Sequence, residues 1–390
     1  MTKHNQNAEK LLLELLAIPG RAGREQKVMD FLVDRLRKAG ASAEAIQFDQ
    51  AHRRSRFPGE VGNLVLKLPG TFRGPRRMLV AHSDTVPLCE GARPVRRGDR
   101  IVPADTHTAL GADDRTGTAV LLATALRLLR EKTGHPPLTF LWTVQEEFGL
   151  QGVRSLRLGM LGRPRLAFNF DGGSPEKLTI GATGGYRMEI RITGIPAHAG
   201  NAPQNGVSAI AIAGIAIERL HREGWHGLIQ KNGRRGTSNV GIIRGGDASN
   251  VVAAEATLRA EARSHHPAFR RRIVRAIEQA FRDALGQVRN AQGQCGRVQF
   301  AGRLDYESFK LPAGDPSVRA AIGAIRQLGG EPVTGISNGG LDANWLTHRG
   351  IPTVSLGCGQ ENMHTTDEKV NLAEFRRACD IALLLATGDS

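Results

Sequence analysis

The chain has 390 residues, of which 40% are hydrophobic and 23% charged, values that are typical of a globular protein with about two domains. No run approaches the roughly 20 consecutive apolar residues that a membrane helix needs, which argues against a membrane protein. The formal charge of +15 is carried mainly by arginine. Because aromatic residues make up only 5% and no nucleic-acid motif accompanies the charge, we expect solvated helix faces here and do not expect nucleic-acid binding.

The four scattered cysteines form no C-x-x-C pair, and a disulfide framework is not expected. The first 20 residues do not have the basic, apolar and small-residue regions of a signal peptide. Both observations predict free thiols in a reducing, cytoplasmic location.

The first 180 residues combine strand and helix patterns. Helical spacing of apolar residues predicts two helices within residues 8–39, separated at IPGRAGRE. Further along, NLVLKL, RRMLVAH, PLTFLWTV and RLAFNF have the apolar composition of buried strands, and GTAVLLATALRLLREK that of a buried helix. Alternation of strands with helices predicts an α/β domain in which helices cover a sheet in αβα layers.

The pattern changes after Gly184. YRMEIRI alternates apolar and polar residues, which predicts a strand with one wet face. Helix, two strands, helix and strand follow, and this βαββαβ order is typical of a ferredoxin-like unit. After about residue 303 the α/β pattern returns. We therefore predict a discontinuous catalytic domain (1–180 and 303–390) with an inserted ferredoxin-like domain (181–302).

Acidic and histidine side chains follow several predicted strands, where sites form in open α/β sheets. They are His82, Asp84, Asp113, Asp114, Glu146, Glu147, Asp171 and His364. Packed carboxylates raise one another's pKa values and need a counter-charge, which divalent metal can supply. Imidazole and carboxylate ligands without thiolates favour zinc, with manganese or cobalt as alternatives, and the ligand number suits two ions that share one carboxylate.

Each motif taken singly has an ordinary explanation. GADD could be a turn before a helix N-terminus, and QEE a solvated strand end. HTTDE could cap a helix, with Glu368 reaching back to the cap. Their joint occurrence at strand ends favours one site.

The motifs HSDTVP, LGADDRTG, QEEFGLQG, FDGG, GIPAHAG and HTTDE resemble, in this order and over nearly the whole chain, those of the M20 metallopeptidase family. Within it they are most similar to the branch of tripeptidases that resemble peptidase T. The resemblance implies a zinc-peptidase catalytic domain, a lid domain that also dimerises, and a dizinc hydrolase of short peptides. It implies these metal ligands, with Asp113 bridging: His82, Asp113, Glu147, Asp171 and His364.

The resemblance also implies catalytic roles. Asp84 would orient the imidazole of His82, and Glu146 would be the general base for a metal-activated water. Because neighbouring side chains on a strand point apart, we expect Glu146 and Glu147 where the strand breaks into a loop. The family tends to have a strained peptide bond at the position of Asp113–Asp114.

Five further residues resemble positions of the family that stabilise the oxyanion or bind the substrate. His198 would stabilise the oxyanion in the site of a dimer partner, and Gly339 and Gly340 would lie against the substrate backbone. Arg263 would anchor a carboxylate with Asn250 beside it, although the strand pattern alone makes Arg263 a solvated residue on a polar face.

We therefore predict a homodimeric aminopeptidase acting on di- or tripeptides. No residue that would recognise a substrate N-terminus is identifiable, so an M20-type carboxypeptidase or N-acyl amino acid deacylase is the alternative. Aspartate at position 171, where deacylases of the family usually have glutamate, favours a peptidase. A more remote alternative is a scaffold protein that has lost its metals and uses its basic surface to bind a partner; the intact ligand set opposes it.

Overall fold

The computed structural model describes residues 3–388, which divide into two compact units that we treat separately. Unit 1 comprises Met1–Ala182 and Lys310–Ser390, and unit 2 comprises Thr183–Phe309. Unit 2 runs past the predicted boundary at residue 302 because its last strand continues to Tyr306.

The helices are α1 Lys3–Leu16, α2 Gln26–Lys38, α3 Ala51–Arg54, α4 Ala112–Glu131, α5 Gln151–Arg154, α6 Ala209–Arg222, α7 Pro267–Gln287, α8 Pro316–Gln327, α9 Asp342–His348 and α10 Leu372–Thr387. Within residues 3–388, none of them combines the length and the apolar character that a bilayer crossing requires.

The strands are β1 Ile46–Phe48, β2 Leu64–Leu68, β3 Arg77–His82, β4 Pro94–Arg97, β5 Arg100–Pro103, β6 Leu138–Thr143, β7 Leu166–Phe170, β8 Lys177–Ala182, β9 Gly184–Thr193, β10 Gly227–Lys231, β11 Arg234–Gly245, β12 Glu255–Ser264, β13 Arg297–Tyr306, β14 Phe309–Lys310, β15 Val333–Ser337, β16 Thr353–Leu356, β17 Gln360–Glu361 and β18 Lys369–Asn371.

Unit 1 is built on a mixed sheet with the strand order β1-β2-β6-β3-β7-β16-β8, to which β15 adds beside β8. Every residue of β3, β6 and β16 is buried, so both faces of these strands are covered. Helix α4 packs on β3 and β7, and α9 packs on β16. The predicted α/β fold class is confirmed.

Unit 1 also contains a small sheet of short strands, in the order β17-β18-β5-β4, that the sequence did not predict. Its strands have two to four residues each. Segments this short show too few alternations for periodicity to mark them. The sheet joins the chain that follows β3 to the chain that precedes α10.

Unit 2 is an antiparallel sheet with the order β10-β11-β12-β9-β13, on which α6 and α7 pack. Met188, Ile190 and Ile192 of β9 point into its core, as their alternation predicts. Without β10 the order is that of a ferredoxin-like unit. Strand β10 forms a hairpin with β11 and is an addition to the predicted βαββαβ order. Only Ile229 of this strand is fully buried, so the sequence offered no alternation there.

Candidate metal centre and active site

The candidate site lies at the edge of the unit 1 sheet where parallel strands end. Strand β3 runs parallel to β6 and β7, and β16 runs parallel to β7. Their carboxyl ends therefore meet at one edge. His82 is the last residue of β3, Asp171 directly follows β7, and the loop that holds Glu146 and Glu147 follows β6.

Imidazole and carboxylate atoms form three overlapping groups, each with its atoms within 4.8 Å of one another. The groups are His82–Asp113–Asp171, Asp113–Glu147–His364 and His82–Glu146–Glu147. His82 Nε2 lies 3.0 Å from Asp113 Oδ1, and His364 Nε2 lies 3.3 Å from Asp113 Oδ2. The two oxygens of Asp113 thus face one histidine each, which is the arrangement that a carboxylate shared by two cations requires.

The backbone and side chain of Asp84 organise the residues around it. The Nδ1 atom of His82 lies 3.1 Å from the carbonyl oxygen of Asp84, and Asp84 Oδ1 lies 3.6 Å from the same Nδ1. Because a carbonyl oxygen can only accept, Nδ1 carries the proton, and Nε2 is left free as a ligand atom. The Asp84 carboxylate accepts the backbone N–H groups of Glu146 and Glu147, each at 3.0 Å.

The QEEFGLQG segment forms a turn after β6, as we expect from its two adjacent glutamates, and it does not continue the strand. Strand β6 stops at Thr143, and Gln145 has a left-handed backbone with φ 54°. Gly152 closes the segment against β6: a Cβ atom there would lie 2.0 Å from the carbonyl oxygen of Val144. Glycine is therefore required at this close approach.

The segment before α4 is held by a residue far along the chain. The Asp113–Asp114 peptide bond is cis, at the position that the resemblance indicated. The buried carboxylate of Glu368 accepts backbone N–H groups from Leu110 at 2.9 Å, Gly111 at 2.6 Å and Asp113 at 3.1 Å. Glu368 thus does not cap a helix of its own segment.

Asp114 points away from the candidate ligands and into the protein. Its side chain accepts hydrogen bonds from the backbone N–H of Gly117 at 3.0 Å, the amide of Gln360 at 2.7 Å and the backbone N–H of His82 at 3.2 Å. It therefore anchors the start of α4 to the end of β3. Burial raises the pKa of Asp114 well above its ordinary value.

The site carries more carboxylate than its surroundings neutralise. Burial and neighbouring acids raise the pKa of Asp171 to about 7 and the pKa of Glu146 well above its ordinary value. Burial alone would raise the pKa of Asp113 too, but His364 and His82 hold it below its usual range. Such crowding is relieved by cations. The donor set is imidazole and carboxylate, without thiolate in any of the three groups, and it fits hard or borderline divalent metals such as zinc.

Two buried acids near the site, Glu368 and Asp342, are not marked as site residues by the sequence pattern, which indicates only a helix cap for Glu368. Asp342 is buried, accepts a hydrogen bond from the hydroxyl of Thr143, and burial raises its pKa to about 6. Both residues act on backbone or hydroxyl groups, and no residue spacing marks such partners in a sequence.

The remaining predicted residues fall in different places. Gly339 lies in unit 1 between β15 and α9, where its N–H donates to the hydroxyl of Ser337 at 3.0 Å, and Gly340 follows it. In unit 2, the segments of His198 and Asn250 pair, with the N–H of Ala199 donating to the carbonyl of Asn250 at 2.9 Å.

The side chain of His198 has a defined tautomer. Its Nδ1 atom accepts the backbone N–H groups of Gly200 at 3.1 Å and Asn201 at 3.0 Å, so the proton of the neutral ring resides on Nε2. Arg263 lies on the polar face of β12, as the alternation predicted. Its guanidinium donates two hydrogen bonds, of 2.9 and 3.0 Å, to the carboxylate of Glu261.

Comparison with known proteins identifies the family. Residues 78–387 match the model of Peptidase family M20/M25/M40. The chain is 32% identical over 325 residues to the uncharacterized protein YqjE of Bacillus subtilis (strain 168), covering 83% of this chain and 84% of that protein. It is 29% identical over 331 residues to carboxypeptidase G2 of Pseudomonas sp. (strain RS-16), covering 83% and 76%.

Two solved structures are similar over 98% of both chains. One is a tripeptidase from Staphylococcus aureus subsp. aureus Mu50, with a TM-score of 0.88 and 29% identity. The other is aminopeptidase PepT from Bacillus cereus ATCC 10987, with a TM-score of 0.84 and 28% identity. The chain belongs to the M20 peptidase family, which confirms the resemblance drawn from its motifs, and it is a metal-dependent hydrolase.

Proposed function

We propose that this protein is a dizinc aminopeptidase that hydrolyses di- and tripeptides, with His82, Asp113, Glu147, Asp171 and His364 as the metal ligands. The observation that carries the proposal is the position of Asp113, whose two carboxylate oxygens face His82 and His364 at 3.0 and 3.3 Å. Two bound cations would supply Lewis acidity, polarising the scissile carbonyl and making the attacking water more acidic.

In this proposal Glu146 is the general base. Its carboxylate groups with His82 and Glu147 and belongs to neither of the groups that contain Asp113. Burial raises its pKa well above the ordinary value, which makes the carboxylate a stronger base than a solvated one. Glu146 removes the proton from the attacking water and then passes it to the leaving amine.

Substrate type rests on two kinds of support. Two of the solved structures similar over nearly the whole chain, which share 29% and 28% of its residues, are a tripeptidase and an aminopeptidase, and this favours cleavage at the N-terminus of short peptides. The similarity to carboxypeptidase G2 keeps a carboxypeptidase or N-acyl amino acid deacylase as the second candidate. In both cases Arg263 and Asn250 would bind the substrate, and Gly339 and Gly340 would lie along its backbone.

We further propose that unit 2 is the lid and forms a homodimer. Residues 239–245 of β11 pair with β12, and among residues 3–388 no strand covers their outer edge beyond the β10 hairpin. Ile242 and Ile243 are exposed there, Ile243 at 50%. An open strand edge with exposed apolar side chains is a template for a second strand. In the dimer, Nε2–H of His198 would stabilise the oxyanion in the partner's site.

The four cysteines are free thiols, which supports the cytoplasmic location that forms part of this proposal. The basic surface has no part in it, and we expect no binding of nucleic acid.

Peptide products distinguish the candidates. Zinc-loaded protein is incubated with free and N-acylated di- and tripeptides, with a chelator-treated control, and the products are identified by mass spectrometry. Chelator-sensitive release of the N-terminal residue from free peptides only is expected. Cleavage of blocked substrates alone would replace the aminopeptidase with a deacylase or carboxypeptidase. Absence of turnover with zinc, manganese or cobalt, together with a salt-sensitive gel shift on DNA or RNA, would favour the scaffold alternative.

A further inference from the structure

The loop between α1 and α2 reaches the turn that carries the two glutamates. Residues 18–25, which we call the strap, pair with Thr85, the residue after Asp84: the N–H of Ala22 donates to the carbonyl of Thr85 at 3.1 Å, and the N–H of Thr85 donates to the carbonyl of Gly20 at 3.2 Å. The strap thus forms an isolated parallel β-bridge, between Arg21 and Thr85, with the loop that follows β3. It ends at Glu25, which precedes α2.

Glu25 is fully buried, and its side chain does not cap its own helix. One carboxyl oxygen, Oε1, accepts the backbone N–H of Gly23 at 2.7 Å and the backbone N–H of Gln145 at 3.0 Å. Gln145 is the residue with the left-handed backbone that starts the turn. A residue other than glycine keeps a left-handed backbone only where the surrounding structure stabilises it.

Two carboxyl groups therefore hold three consecutive N–H groups of the turn. Glu25 accepts from Gln145, and Asp84 accepts from Glu146 and Glu147, each at 3.0 Å. The direction in which the Glu146 side chain leaves the backbone depends on the dihedral angles of these residues. A shift of the turn would move Glu146 and also the candidate ligand Glu147, while the other four candidate ligands, which lie outside the turn, stay in place.

The strap itself is anchored by Arg115, which is 1% exposed. Its guanidinium donates to the carbonyl groups of Ile18 at 3.3 Å and Gly20 at 3.2 Å. A Cβ atom at Gly20 would lie 2.5 Å from Nη2 of Arg115, so the strap lies directly on the guanidinium. Arg115 therefore fixes the strap to the start of α4, and the strap fixes Glu25 to the turn.

We infer that Glu25 is a positioning residue, whose hydrogen bond to the N–H of Gln145 holds the turn in the geometry from which Glu146 acts as general base. The inference rests on the proposed function of Glu146. It assigns Glu25 no contact with substrate or metal. It predicts a larger effect on the rate of the chemical step than on metal content, because four of the five candidate ligands lie outside the turn, and no effect on substrate binding.

The test compares variants of Glu25 in the zinc-loaded protein. Glu25→Met keeps the side-chain volume but removes the acceptor, and Glu25→Gln keeps one acceptor oxygen. Burial, together with the charge of Asp84, raises the pKa of Glu25 to about 8, so the amide resembles the protonated form that prevails at neutral pH. We expect Glu25→Met to lower kcat at least tenfold with KM changed less than twofold, and Glu25→Gln to recover at least a third of the wild-type kcat.

Zinc content per chain and Tm are measured beside the kinetics. The matched control is Asp315→Asn, because Asp315 is also a buried carboxylate that accepts a backbone N–H, from Ser317 at 2.8 Å, but lies at the start of α8 away from the turn. We expect Asp315→Asn to lower Tm and leave kcat within twofold. If Glu25→Met does not fold, the test uses Glu25→Asp, whose carboxyl group is withdrawn by one methylene. We then expect the loss of kcat in Glu25→Asp.

The inference would be overturned if kcat stayed within twofold of wild type in Glu25→Met or, where that variant does not fold, in Glu25→Asp. It would also be overturned if zinc were lost in step with kcat. Equal impairment of kcat in Glu25→Gln and Glu25→Met would be a third contrary result. Glu146→Gln measured in parallel separates the two hypotheses. Full activity in Glu146→Gln would overturn the general base and the inference together. An inactive Glu146→Gln beside an unimpaired Glu25→Met would overturn the inference alone.

Discussion

The side chain of Glu368 accepts the backbone N–H of Asp113 at 3.1 Å, across a separation of 255 residues. Glu368 lies four residues after His364, so this hydrogen bond joins the segments that carry two of the proposed ligands. The same carboxylate accepts the N–H groups of Leu110 and Gly111. The buried carboxylate of Glu368 thus fixes the position of Asp113 relative to His364.

This relationship predicts the behaviour of Glu368→Gln. An amide has one acceptor oxygen, so its NH₂ group would face at least one of the three N–H donors. We expect zinc affinity to fall roughly 10- to 100-fold, as for other residues that orient metal ligands. Competition with a zinc chelator measures it. Glu361→Gln is the control, because Glu361 pairs with Arg100 and Lys369 at the surface; an equal loss in both variants would contradict the role of Glu368.

Variants of the two adjacent glutamates, Glu146 and Glu147, should differ in metal content. Glu146→Gln removes the proposed base and is expected to lower kcat by 10²- to 10⁴-fold with zinc retained. Glu147→Gln removes a proposed ligand that contacts His364 Nε2 at 2.8 Å, and it is expected to lose both activity and zinc. Steady-state kinetics and elemental analysis on the same preparations distinguish the general base from the metal ligand. Near-normal kcat in Glu146→Gln would disprove the assignment.

Metal removal should make stability fall as pH rises. Burial raises the pKa of Asp171 to about 7 and that of Asp342 to about 6, from an ordinary value of 3.8. The native state keeps these protons after the unfolded chain has lost them, so stabilisation that is complete below pH 4 is lost as pH rises through 6 and 7. The raised pKa of His364 acts in the same direction.

We therefore expect the chelator-treated protein to have a lower Tm at pH 8 than at pH 5.5. The zinc-loaded protein should lose less, because cations stabilise the charged carboxylates and bind more tightly as protons leave. Thermal unfolding of both forms at the two pH values measures this. In the chelated protein, Asp171→Asn should reduce the difference. A chelated protein that is more stable at pH 8 would contradict the raised pKa values of Asp171 and Asp342.

Gly152→Ala tests the packing of the turn against β6. The added methyl group would lie 2.0 Å from the carbonyl oxygen of Val144 and 2.6 Å from the side-chain oxygen of Asn63. Backbone has to move to accommodate it, and we expect a loss of about 1–3 kcal/mol, as for other overpacked sites. Gly159→Ala is the control, because no atom lies within 4 Å of its Cβ position. Urea unfolding of both variants measures the difference, and equal midpoints would contradict the close packing of Gly152 against β6.

Hybrid dimers test whether His198 acts in the partner's site. A mixture of Glu146→Gln and His198→Ala chains forms hybrids in which one site combines an intact Glu146 with the partner's intact His198. If His198 acts across the dimer, mixing two inactive preparations restores activity; each hybrid has one working site. Activity that stays at the level of the parents, with hybrids verified by native mass spectrometry, would place His198 in its own subunit's site or outside catalysis.

Much of the fold follows from patterns within single segments. Alternation in β9 and helical spacing in α2 and α7 are local, because each reflects which side of one element faces a core. The grouping of His82, Glu147 and Asp171 could also be predicted, because they lie at the carboxyl ends of β3, β6 and β7, parallel strands that share one edge of the sheet. Asp113, at the start of α4, and His364, beyond β17, do not follow such strands. Strand β10 and the small sheet could not be predicted from the sequence. Short, exposed strands form by pairing with neighbouring strands, and their own side chains show no pattern that marks them.

The sequence by itself determined the α/β class and predicted the inserted unit and the candidate site residues. Only the tertiary structure revealed what holds them: Glu368 at the segment of Asp113, Glu25 at Gln145, and Asp84 at Glu146 and Glu147. The physical reason is that these acids bind backbone N–H groups. Every residue except proline has such a group, so no residue type or spacing in a sequence marks the partner, and only the folded chain selects it.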